Sequence, residues 1–422
     1  MRIALLSYRS KEHSGGQGVY VRHLSRGLAE LGHEVTVFSG QPYPEALDPR
    51  VRLETVPSLD LYRDPDPFRT PHLREFRGPV DVLEYLLMLT AAFPEPLTFT
   101  LRMARDRRLD EFDVVHDNQS LGYGLLWLLR RGIPLVATIH HPISRDRKVD
   151  IAAASLRKQI STRRWYGFVR MQARVARQLP ALLTVSTASA TDTIEDFGID
   201  PDRMAIVPLG VDTDVFRPRG ERVPGRIVAI ASADSPLKGV AHLLESVAKL
   251  RVERDVELHL VSRIDPKSAT ARRIEDLGLT GAVTLHSGLS DDALADLLAS
   301  AEVMAVPSLY EGFSLPTVEA LACGTPVVAS RAGALPETVG EAARLVTPGD
   351  VGELTEALGE LLDDPAERDR LAALGLARVE ERYSWTSVAA ATVTAYETAI
   401  AKTQNATKTQ NATQKRNARA DR

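Results

Sequence analysis

The sequence predicts an α/β protein with two tandem Rossmann-like domains, each a parallel sheet with helices on its faces. Short apolar runs typical of buried strands alternate with segments whose apolar residues recur every three or four positions, as in amphipathic helices. This alternation begins at Ile3, is interrupted over residues 57–100 and restarts as a second series at Ile227. A chain of 422 residues is also long for one hydrophobic core, which favours two or three domains.

Composition and charge are those of a soluble globular protein, with 44% hydrophobic residues, 26% charged residues and a net charge of −4. This balance favours neither nucleic acid nor a membrane surface as a partner. The single cysteine, Cys323, excludes an internal disulfide and gives no zinc signature. The first apolar run is too short for a signal peptide, and no run approaches the roughly 18 residues of a spanning helix. We therefore expect a cytoplasmic protein, with peripheral contact to the inner face of the membrane left open.

The first series opens with a predicted strand at Ile3–Ser7, a loop, a helix from Gln17 and a second strand at Glu34–Ser39. The loop contains the pair Gly15 and Gly16, and glycines at such a turn let a phosphate approach the backbone closely. The spacing is not G-x-G-x-x-G, so a dinucleotide site is weakly supported and a purely structural turn stays an alternative.

Residues 57–100 carry six prolines between positions 65 and 96, interleaved with aromatic residues. Proline at this density disfavours long regular elements, so we predict an elaborated loop region with one helix near Val82–Ala91. Long elaborations at the ligand edge of a sheet are often functional, but a mobile cover without a role fits the pattern equally well.

His140 follows the predicted strand at residues 135–139, at the edge where a parallel sheet builds its site. A structural, hydrogen-bonded histidine is the alternative. Residues 144–177 then carry ten Lys or Arg against two Asp, with Trp165, Tyr166 and Phe168 among them. Such a helix can dock on anionic lipid or accept an acidic substrate, whereas a solvated helical face is the commoner explanation.

The second series places polar residues after each predicted strand. Lys238 and Arg263 are cations at the same edge of the sheet, where they could neutralise a diphosphate. The strand at Val303–Val306 leads through a polar loop into a short helix, and such a junction presents free N–H groups and the positive end of the helix dipole. Glu311 and Glu319 frame it, although two solvated acids on an ordinary strand–loop–helix unit are an alternative.

The predicted organisation is a first domain over 1–212, a second over 213–384, a C-terminal helix over 385–402 and a low-complexity tail over 403–422. The boundary follows a segment rich in turn residues at 208–218. The tail repeats Thr-Gln-Asn-Ala-Thr and is predicted to be disordered.

Taken together, these features resemble the retaining glycosyltransferases of family 4, which have the GT-B fold. The resemblance rests on the tandem α/β domains, the pair Gly15 and Gly16, the lysine–glycine at 238–239 and the Glu-x₇-Glu spacing of Glu311 and Glu319, and it extends from Arg2 to about Ile400. It implies two Rossmann-like domains facing each other across a cleft, with the donor on the second and the acceptor on the first. It also implies a C-terminal helix that packs back toward the N-terminal domain.

The resemblance assigns roles to particular residues. His140 and Glu311 would be catalytic, with His140 reaching the donor sugar and Glu311 holding its hydroxyls. Lys238 would pair with the diphosphate, and Glu319 would bind the ribose. The remaining donor-binding positions, which would act mainly through backbone groups, are Gly15, Gly16, Gly288, Leu289, Gly312, Phe313, Ser314 and Leu315.

One departure concerns a second phosphate cation. Many family members place an arginine five or six residues before the lysine, whereas this chain has Ala233 and Ser232 there. We expect Arg263, from the neighbouring strand end, to supply the missing charge.

The implied activity is transfer of a hexose from a nucleotide-diphosphate sugar, UDP- or GDP-linked, to a hydroxyl acceptor with retention of configuration. The resemblance implies no metal and no cofactor. Because the basic stretch 144–177 lies in the acceptor domain, we expect a lipid-linked or otherwise anionic acceptor, with no nucleic acid partner. The alternatives are a GT-B epimerase or phosphorylase and a non-catalytic nucleotide-sugar-binding protein. The last would not need His140 and Glu311.

Overall fold

The computed structural model describes residues 1–10, 17–63, 66–140, 143–145, 147, 151, 156–231 and 235–420. The chain forms two compact units. The first unit contains residues 1–185, 189–207 and the C-terminal residues from Val388, and the second contains 186–188 and 208–387. The main division, at Val207–Pro208, lies five residues before the predicted boundary at 212.

The first unit is built on a seven-stranded sheet in the order β3-β2-β1-β4-β5-β6-β7, in which all paired strands are parallel. The chain reverses its direction of strand addition between β1 and β4, and ligands of such sheets bind outside the carboxyl ends at that point. The strands are β1 Arg2–Ser7, β2 Glu34–Ser39, β3 Arg52–Thr55, β4 Val114–Asn118, β5 Leu135–Ile139, β6 Ala181–Thr184 and β7 Met204–Ile206.

Helices cover both faces of this sheet, as the apolar periodicity predicts. The apolar side chains of these helices pack against strand residues such as Leu6, Val115 and Leu182, which have no solvent exposure. The α-helices of the first unit in the described residues are Gln17–Glu30, Pro79–Leu89, Glu95–Arg105, Gly124–Arg130, Leu156–Trp165, Phe168–Ala176 and Thr187–Phe197.

The prediction for residues 57–100 was partly wrong, because this region holds one helix at Pro79–Leu89 and the start of a second at Glu95–Arg105. Pro79 and Pro96 lie in the first turn of their helices, where the N–H that proline lacks would have no partner within the helix. Prolines taken as breakers in the sequence therefore begin helices.

The second unit is built on a six-stranded parallel sheet in the order β10-β9-β8-β11-β12-β13. The strands are β8 Arg226–Ile230, β9 Glu257–Val261, β10 Val283–His286, β11 Val303–Val306, β12 Val327–Ser330 and β13 Ala343–Val346. The α-helices are Val240–Leu250, Ala269–Asp276, Asp291–Ala299, Leu315–Ala322, Leu335–Val339, Val351–Asp363 and Pro365–Arg382. The predicted alternation is confirmed, but β13 and the helix at Leu335–Val339 were not predicted.

The last helix, Trp385–Ala420, begins in the second unit and belongs to the first unit from Val388 onward. Its Tyr396 is fully buried, and the Tyr396 hydroxyl lies 2.7 Å from Nδ1 of His116 on β4. The predicted helix end at 402 is too early, and residues 403–420 are helical rather than disordered. Residues 385–420 contain neither Gly nor Pro, the two residues that most disfavour helix, so the Thr- and Asn-containing repeats can continue it. Within the described residues, no helix is both long enough and apolar enough to span a membrane.

Candidate functional site

Two loops of the second unit meet at the carboxyl ends of β8 and β11, which are adjacent strands. The Leu309 amide donates a hydrogen bond of 2.8 Å to the Leu237 carbonyl. Gly239 has φ +66°, and a Cβ there would lie 2.0 Å from the Pro307 carbonyl oxygen. Only glycine permits this approach, and the short 3-10 helix Pro236–Lys238 that precedes it brings the lysine to the second loop.

Lys238 and Glu311 form an ion pair at this contact. Nζ of Lys238 lies 2.7 Å from Oε1 of Glu311, and the side chains are 31% and 12% exposed. The Ser308 hydroxyl donates a hydrogen bond of 2.9 Å to the same carboxylate oxygen. The structure therefore brings together two predicted site residues and adds Ser308, which holds the carboxylate.

Hydrogen bonds from two side-chain hydroxyls to backbone carbonyl groups fix the loop after Glu311. The Ser186 hydroxyl donates to the Gly312 carbonyl at 2.6 Å, and the Thr338 hydroxyl donates to the Phe313 carbonyl at 3.0 Å. Phe313 is buried. Phe313 thus anchors the loop with its side chain, so its contribution to a ligand is limited to its backbone.

The helix Leu315–Ala322 starts at Ser314, which has the unusual φ of +75° for a residue other than glycine. The Ser314 hydroxyl lies 2.7 Å from that of Thr317 and makes no side-chain cap on the helix. The N-terminal backbone N–H groups therefore have no side-chain cap. A helix N-terminus of this kind suits a phosphate or carboxylate oxygen.

Glu319 lies one turn into this helix and is partly buried. Burial, followed by the negative charge of Asp291, raises the pKa of its carboxyl to about 8. Asp291 starts the helix that follows Gly288 and Leu289, so Glu319 and these two predicted donor-binding residues lie in the same part of the unit. Gly288 has φ +67° and open space around its Cβ position.

Arg263 follows β9, which pairs with β8, so it lies at the same sheet edge as Lys238. Its side chain is exposed, and within the described residues it has no ion pair. Ser232 and Ala233, where the sequence lacks an arginine, lie outside the described residues. The structure therefore leaves the role of Arg263 as a prediction.

In the first unit, His140 lies at the carboxyl end of β5 and is held by groups from the neighbouring strand β4. Its Nε2 is 2.7 Å from Oδ1 of Asn118, whose Nδ2 donates to the Gln17 carbonyl at 3.4 Å. Because that amide orientation makes Oδ1 an acceptor, Nε2 of His140 carries the proton. Burial lowers the pKa of His140 to about 4, so the imidazole is neutral at physiological pH and leaves Nδ1 as an acceptor.

Tyr20 also positions this histidine. The two rings meet edge to face with centroids 4.5 Å apart, and the Tyr20 hydroxyl lies 3.1 Å from that of Thr138. The Gln119 side chain accepts a 2.8 Å hydrogen bond from the His140 amide. Sequence reasoning missed these supports. Only Asn118 had a usable signal, since it comes shortly after the apolar pair Val114 and Val115, as polar residues do at the end of a strand. Gly15 and Gly16 lie outside the described residues.

Comparison with known proteins agrees with this architecture. A family model described as Glycosyltransferase Family 4 matches residues 14–215, and one described as Glycosyl transferases group 1 matches residues 224–364. The first match lies mainly in the first unit and the second match lies in the second unit.

Among curated proteins, the chain is 64% identical over 407 residues to an MMP alpha-(1->4)-mannosyltransferase from Mycolicibacterium hassiacum, with 95% of this chain and 99% of that protein covered. It is 30% identical over 430 residues to a D-inositol 3-phosphate glycosyltransferase from Xylanimonas cellulosilytica, with coverage of 94% and 96%.

Among solved structures, sucrose-phosphate synthase from Thermosynechococcus elongatus matches with a TM-score of 0.68 at 24% identity, covering 95% of this chain and 100% of that one. Anabaena HepE in complex with UDP-glucose matches with a TM-score of 0.63 at 18% identity, covering 96% and 100%. At these identities the two structures show a shared fold. The family matches and the curated relatives go further, and on them the chain belongs to glycosyltransferase family 4 and has the GT-B fold.

Proposed function

We propose that this protein transfers mannose from a nucleotide-diphosphate mannose to the 4-hydroxyl of a sugar acceptor, forming an α-(1→4) bond with retention of configuration. The observation that carries the proposal is the cluster of Lys238, Glu311 and the uncapped N-terminus of helix Leu315–Ala322. The choice of mannose and of the linkage is supported by the mannosyltransferase relative, which is 64% identical across 95% of this chain. An α product from an α-linked donor requires retention.

Each part of the cluster has a role in this reaction. Departure of the nucleoside diphosphate builds negative charge on the leaving oxygen, which Lys238 and the N–H of Leu315 would stabilise. Glu311 would accept hydrogen bonds from the hydroxyls of the transferred sugar. Without donor, the lysine and the glutamate neutralise each other, so donor binding exchanges one ion pair for two ligand contacts.

The nucleotide and the metal requirement are tested first. The purified protein is incubated with GDP-mannose, UDP-glucose or UDP-mannose and an α-(1→4)-linked mannooligosaccharide, with and without EDTA. We expect mannose transfer, an α-(1→4) product by NMR and no loss of rate with chelator. Transfer of glucose alone, or a β product, would contradict the proposal. Conversion of donor into a new nucleotide sugar without acceptor would identify an epimerase.

His140 and Arg263 keep their predicted roles as proposals with separate tests. His140→Ala is expected to abolish donor hydrolysis measured without acceptor while donor binding persists, which would separate an enzyme from a non-catalytic binder. Arg263→Ala is expected to weaken donor binding, and the same result is expected for Lys238→Ala. Unchanged donor affinity in Arg263→Ala would remove it from the phosphate site.

The expectation of a lipid-linked or anionic acceptor, with residues 144–177 touching an anionic membrane, is an independent proposal. It is supported by the exposed side chains of Arg163, Arg164 and Arg170. Reversing these three charges should reduce co-sedimentation with phosphatidylglycerol vesicles. Equal sedimentation of the variant and the wild type would refute membrane contact through this stretch.

A further inference from the structure

The short helix Leu335–Val339 contacts the loop of residues 311–314, which we call the donor loop because it carries predicted sugar-binding groups. Ala334, directly before this helix, donates a backbone hydrogen bond of 2.9 Å to the Glu311 carbonyl. Gly333 has φ +53°, and a Cβ there would lie 2.1 Å from the same carbonyl oxygen, so only glycine allows this approach. The helix and the turn before it are therefore built against the donor loop.

Thr338, on this helix, holds the peptide group between Phe313 and Ser314. The Thr338 side chain is buried, and its hydroxyl lies 3.0 Å from the Phe313 carbonyl and 2.9 Å from the Ala334 carbonyl, so the two oxygens share its proton. Among the described residues, no other group donates a hydrogen bond to the Phe313 carbonyl. The orientation of this peptide group thus depends on one hydroxyl.

The position of Thr338 is fixed in turn by two residues near the end of the second unit. The Thr338 carbonyl accepts hydrogen bonds from Nε of Arg378 at 2.7 Å and from the Tyr383 hydroxyl at 3.0 Å. The Tyr383 ring also meets the Phe313 ring edge to face, with centroids 5.8 Å apart. Tyr383 therefore holds the ring of Phe313, whereas Thr338 holds its carbonyl.

The hydrogen bond to Thr338 also decides the direction of the next N–H. Phe313 and Ser314 are joined by a trans peptide bond, in which the C=O and the N–H point in opposite directions. The Ser314 N–H therefore points away from the helix that carries Thr338. In the part of the chain that the structure describes, nothing accepts a hydrogen bond from this N–H, and Ser314 is partly exposed. The N–H is thus available to an oxygen of a ligand.

The backbone of Ser314 indicates that this orientation is strained. Its φ of +75° lies in the left-handed region, which is unfavourable for residues other than glycine. Rotation of the peptide group between Phe313 and Ser314 would return φ to a negative value, but it would break the hydrogen bond to Thr338. Strained backbone persists only where the surrounding contacts enforce it, and it concentrates at ligand sites. Here the enforcing contact is the Thr338 hydroxyl.

We propose that Thr338 is a positioning residue, whose hydroxyl keeps the Ser314 N–H directed at a hydroxyl oxygen of the donor's sugar. This inference rests on the proposed function, in which Glu311 accepts hydrogen bonds from the hydroxyls of the transferred sugar. A sugar hydroxyl can donate to a carboxylate and accept from an N–H at the same time, so the two groups complement each other. Thr338 acts on the sugar alone, because Lys238 and the Leu315 N–H hold the diphosphate in that function.

The first test compares the hydroxyl of Thr338 with its methyl group by titration with GDP-mannose, UDP-mannose and UDP-glucose, and with GDP and UDP. Thr338→Val removes the hydroxyl and keeps the shape. It should weaken binding of the nucleotide sugar about fivefold, as loss of one hydrogen bond does, and leave the affinity for the nucleoside diphosphate unchanged. Thr338→Ser keeps the hydroxyl and should bind like the wild type. Equal or greater weakening in Thr338→Ser would assign the effect to packing and overturn the proposal.

Thr325→Val is the matched control for protein stability. Thr325 and Thr338 are each 1% exposed, and the Thr325 hydroxyl donates a hydrogen bond of 2.7 Å to the Leu298 carbonyl. Thr325 precedes β12, so it lies at the edge of the sheet opposite to the donor loop. Both valine variants should lose a few degrees of melting temperature, but only Thr338→Val should lose affinity for the nucleotide sugar. Unchanged affinity in Thr338→Val, or an equal loss in Thr325→Val, would contradict the positioning role.

Crystal structures of the two valine variants without donor separate this inference from the proposed function. In Thr338→Val we expect the peptide group between Phe313 and Ser314 to be rotated, with a negative φ at Ser314, and in Thr325→Val we expect no change. A peptide group that kept its orientation in Thr338→Val would disprove the inference whatever the donor affinity. If the peptide group rotated but the wild type bound none of the three nucleotide sugars, the proposed function would be wrong and the positioning role would stand.

Discussion

At the scale of single residues, we call Lys238, Glu311 and the N-terminus of helix Leu315–Ala322 the donor cluster. The charged groups at this site have different hydrogen-bond partners. Oε1 of Glu311 receives both the Lys238 ammonium and the Ser308 hydroxyl. Glu319, on the helix Leu315–Ala322, is partly buried and has no ion pair with a cation in the part of the chain that the structure describes. The two glutamates of the Glu-x₇-Glu spacing thus sit in different electrostatic environments, so we expect their substitution to have different effects.

The first prediction separates these two effects. Glu311→Gln should reduce kcat by roughly 10- to 100-fold, as loss of a charge-assisted hydrogen bond of about 1.5–3 kcal/mol would, with a smaller change in donor Kd. Glu319→Gln should mainly raise the donor Kd. Steady-state kinetics and donor titration measure both quantities. If each variant changed kcat and Kd by the same factor, the proposed division between sugar and ribose would be wrong.

The second prediction follows from the pKa of Glu319, which burial raises from 4.5 to about 8. Between these values the folded protein retains a proton that the unfolded chain releases, so Glu319 makes stability fall as pH rises from about 5 to 8. Glu319→Gln removes this dependence. The variant should therefore gain in melting temperature, relative to the wild type, as pH increases.

The measurement is thermal unfolding followed by circular dichroism at pH 5, 6.5 and 8. Glu253→Gln removes one negative charge from an exposed side chain of the same unit and serves as the control. A gain for Glu319→Gln that did not grow with pH, or the same gain in the control, would show that the carboxyl keeps an ordinary pKa.

At the scale of secondary-structure elements, the donor cluster exists because β8 and β11 are neighbours. Their following loops are joined by the Leu309–Leu237 hydrogen bond and by the close approach of Gly239 to Pro307. The strand order therefore brings Lys238 to Glu311 across 73 residues of sequence.

The third prediction uses two glycines with nearly the same backbone. Gly239 and Gly278 have φ of +66° and +65°, but a Cβ at Gly239 would strike the Pro307 carbonyl, whereas nothing lies within 4 Å at Gly278. Both alanine variants should lose about 1–2 kcal/mol of stability from the left-handed backbone. Only Gly239→Ala should also separate the two loops and weaken donor binding, by at least tenfold. Equal donor affinity of the two variants, measured by titration, would show that the contact is not needed.

At the scale of the whole molecule, the last helix completes the first unit. The Tyr396 hydroxyl and His116 Nδ1 are 2.7 Å apart, and His116 Nε2 reaches the Thr138 hydroxyl at 2.7 Å. The same hydroxyl is 3.1 Å from that of Tyr20, whose ring packs on His140. A buried polar chain thus joins the C-terminal helix to the predicted catalytic histidine.

The fourth prediction tests this chain. Tyr396→Phe leaves a buried nitrogen of His116 without its partner, at a cost of about 1–3 kcal/mol, and should lower the melting temperature by several degrees. Ending the chain after residue 407 should leave the melting temperature unchanged, because Lys402, which lies 3.3 Å from the Pro180 carbonyl, is retained. Circular dichroism measures both. A larger loss on truncation than in Tyr396→Phe would place the stabilising contacts in the tail.

The sequence by itself determined the two α/β series, most strand positions and the loops that carry Lys238, Glu311 and Glu319. Apolar periodicity and glycine positions are local properties, and the ligand edge of a parallel sheet follows from strand direction alone. Local patterns failed where one residue type has two uses. Pro79 and Pro96 start helices instead of preventing them, and the repeats after residue 402 continue a helix.

Only the tertiary structure decided which side chains meet. Residues distant in sequence meet in the Lys238–Glu311 pair, in the Asn118 and Tyr20 contacts of His140 and in the ring contact between Phe93 and Trp165. Their meeting depends on strand order and on the packing of helices such as Pro79–Leu89 and Leu156–Trp165, which periodicity does not encode. The composition of each loop can be read locally, whereas the chemistry of a site depends on distances between loops, and folding sets those distances.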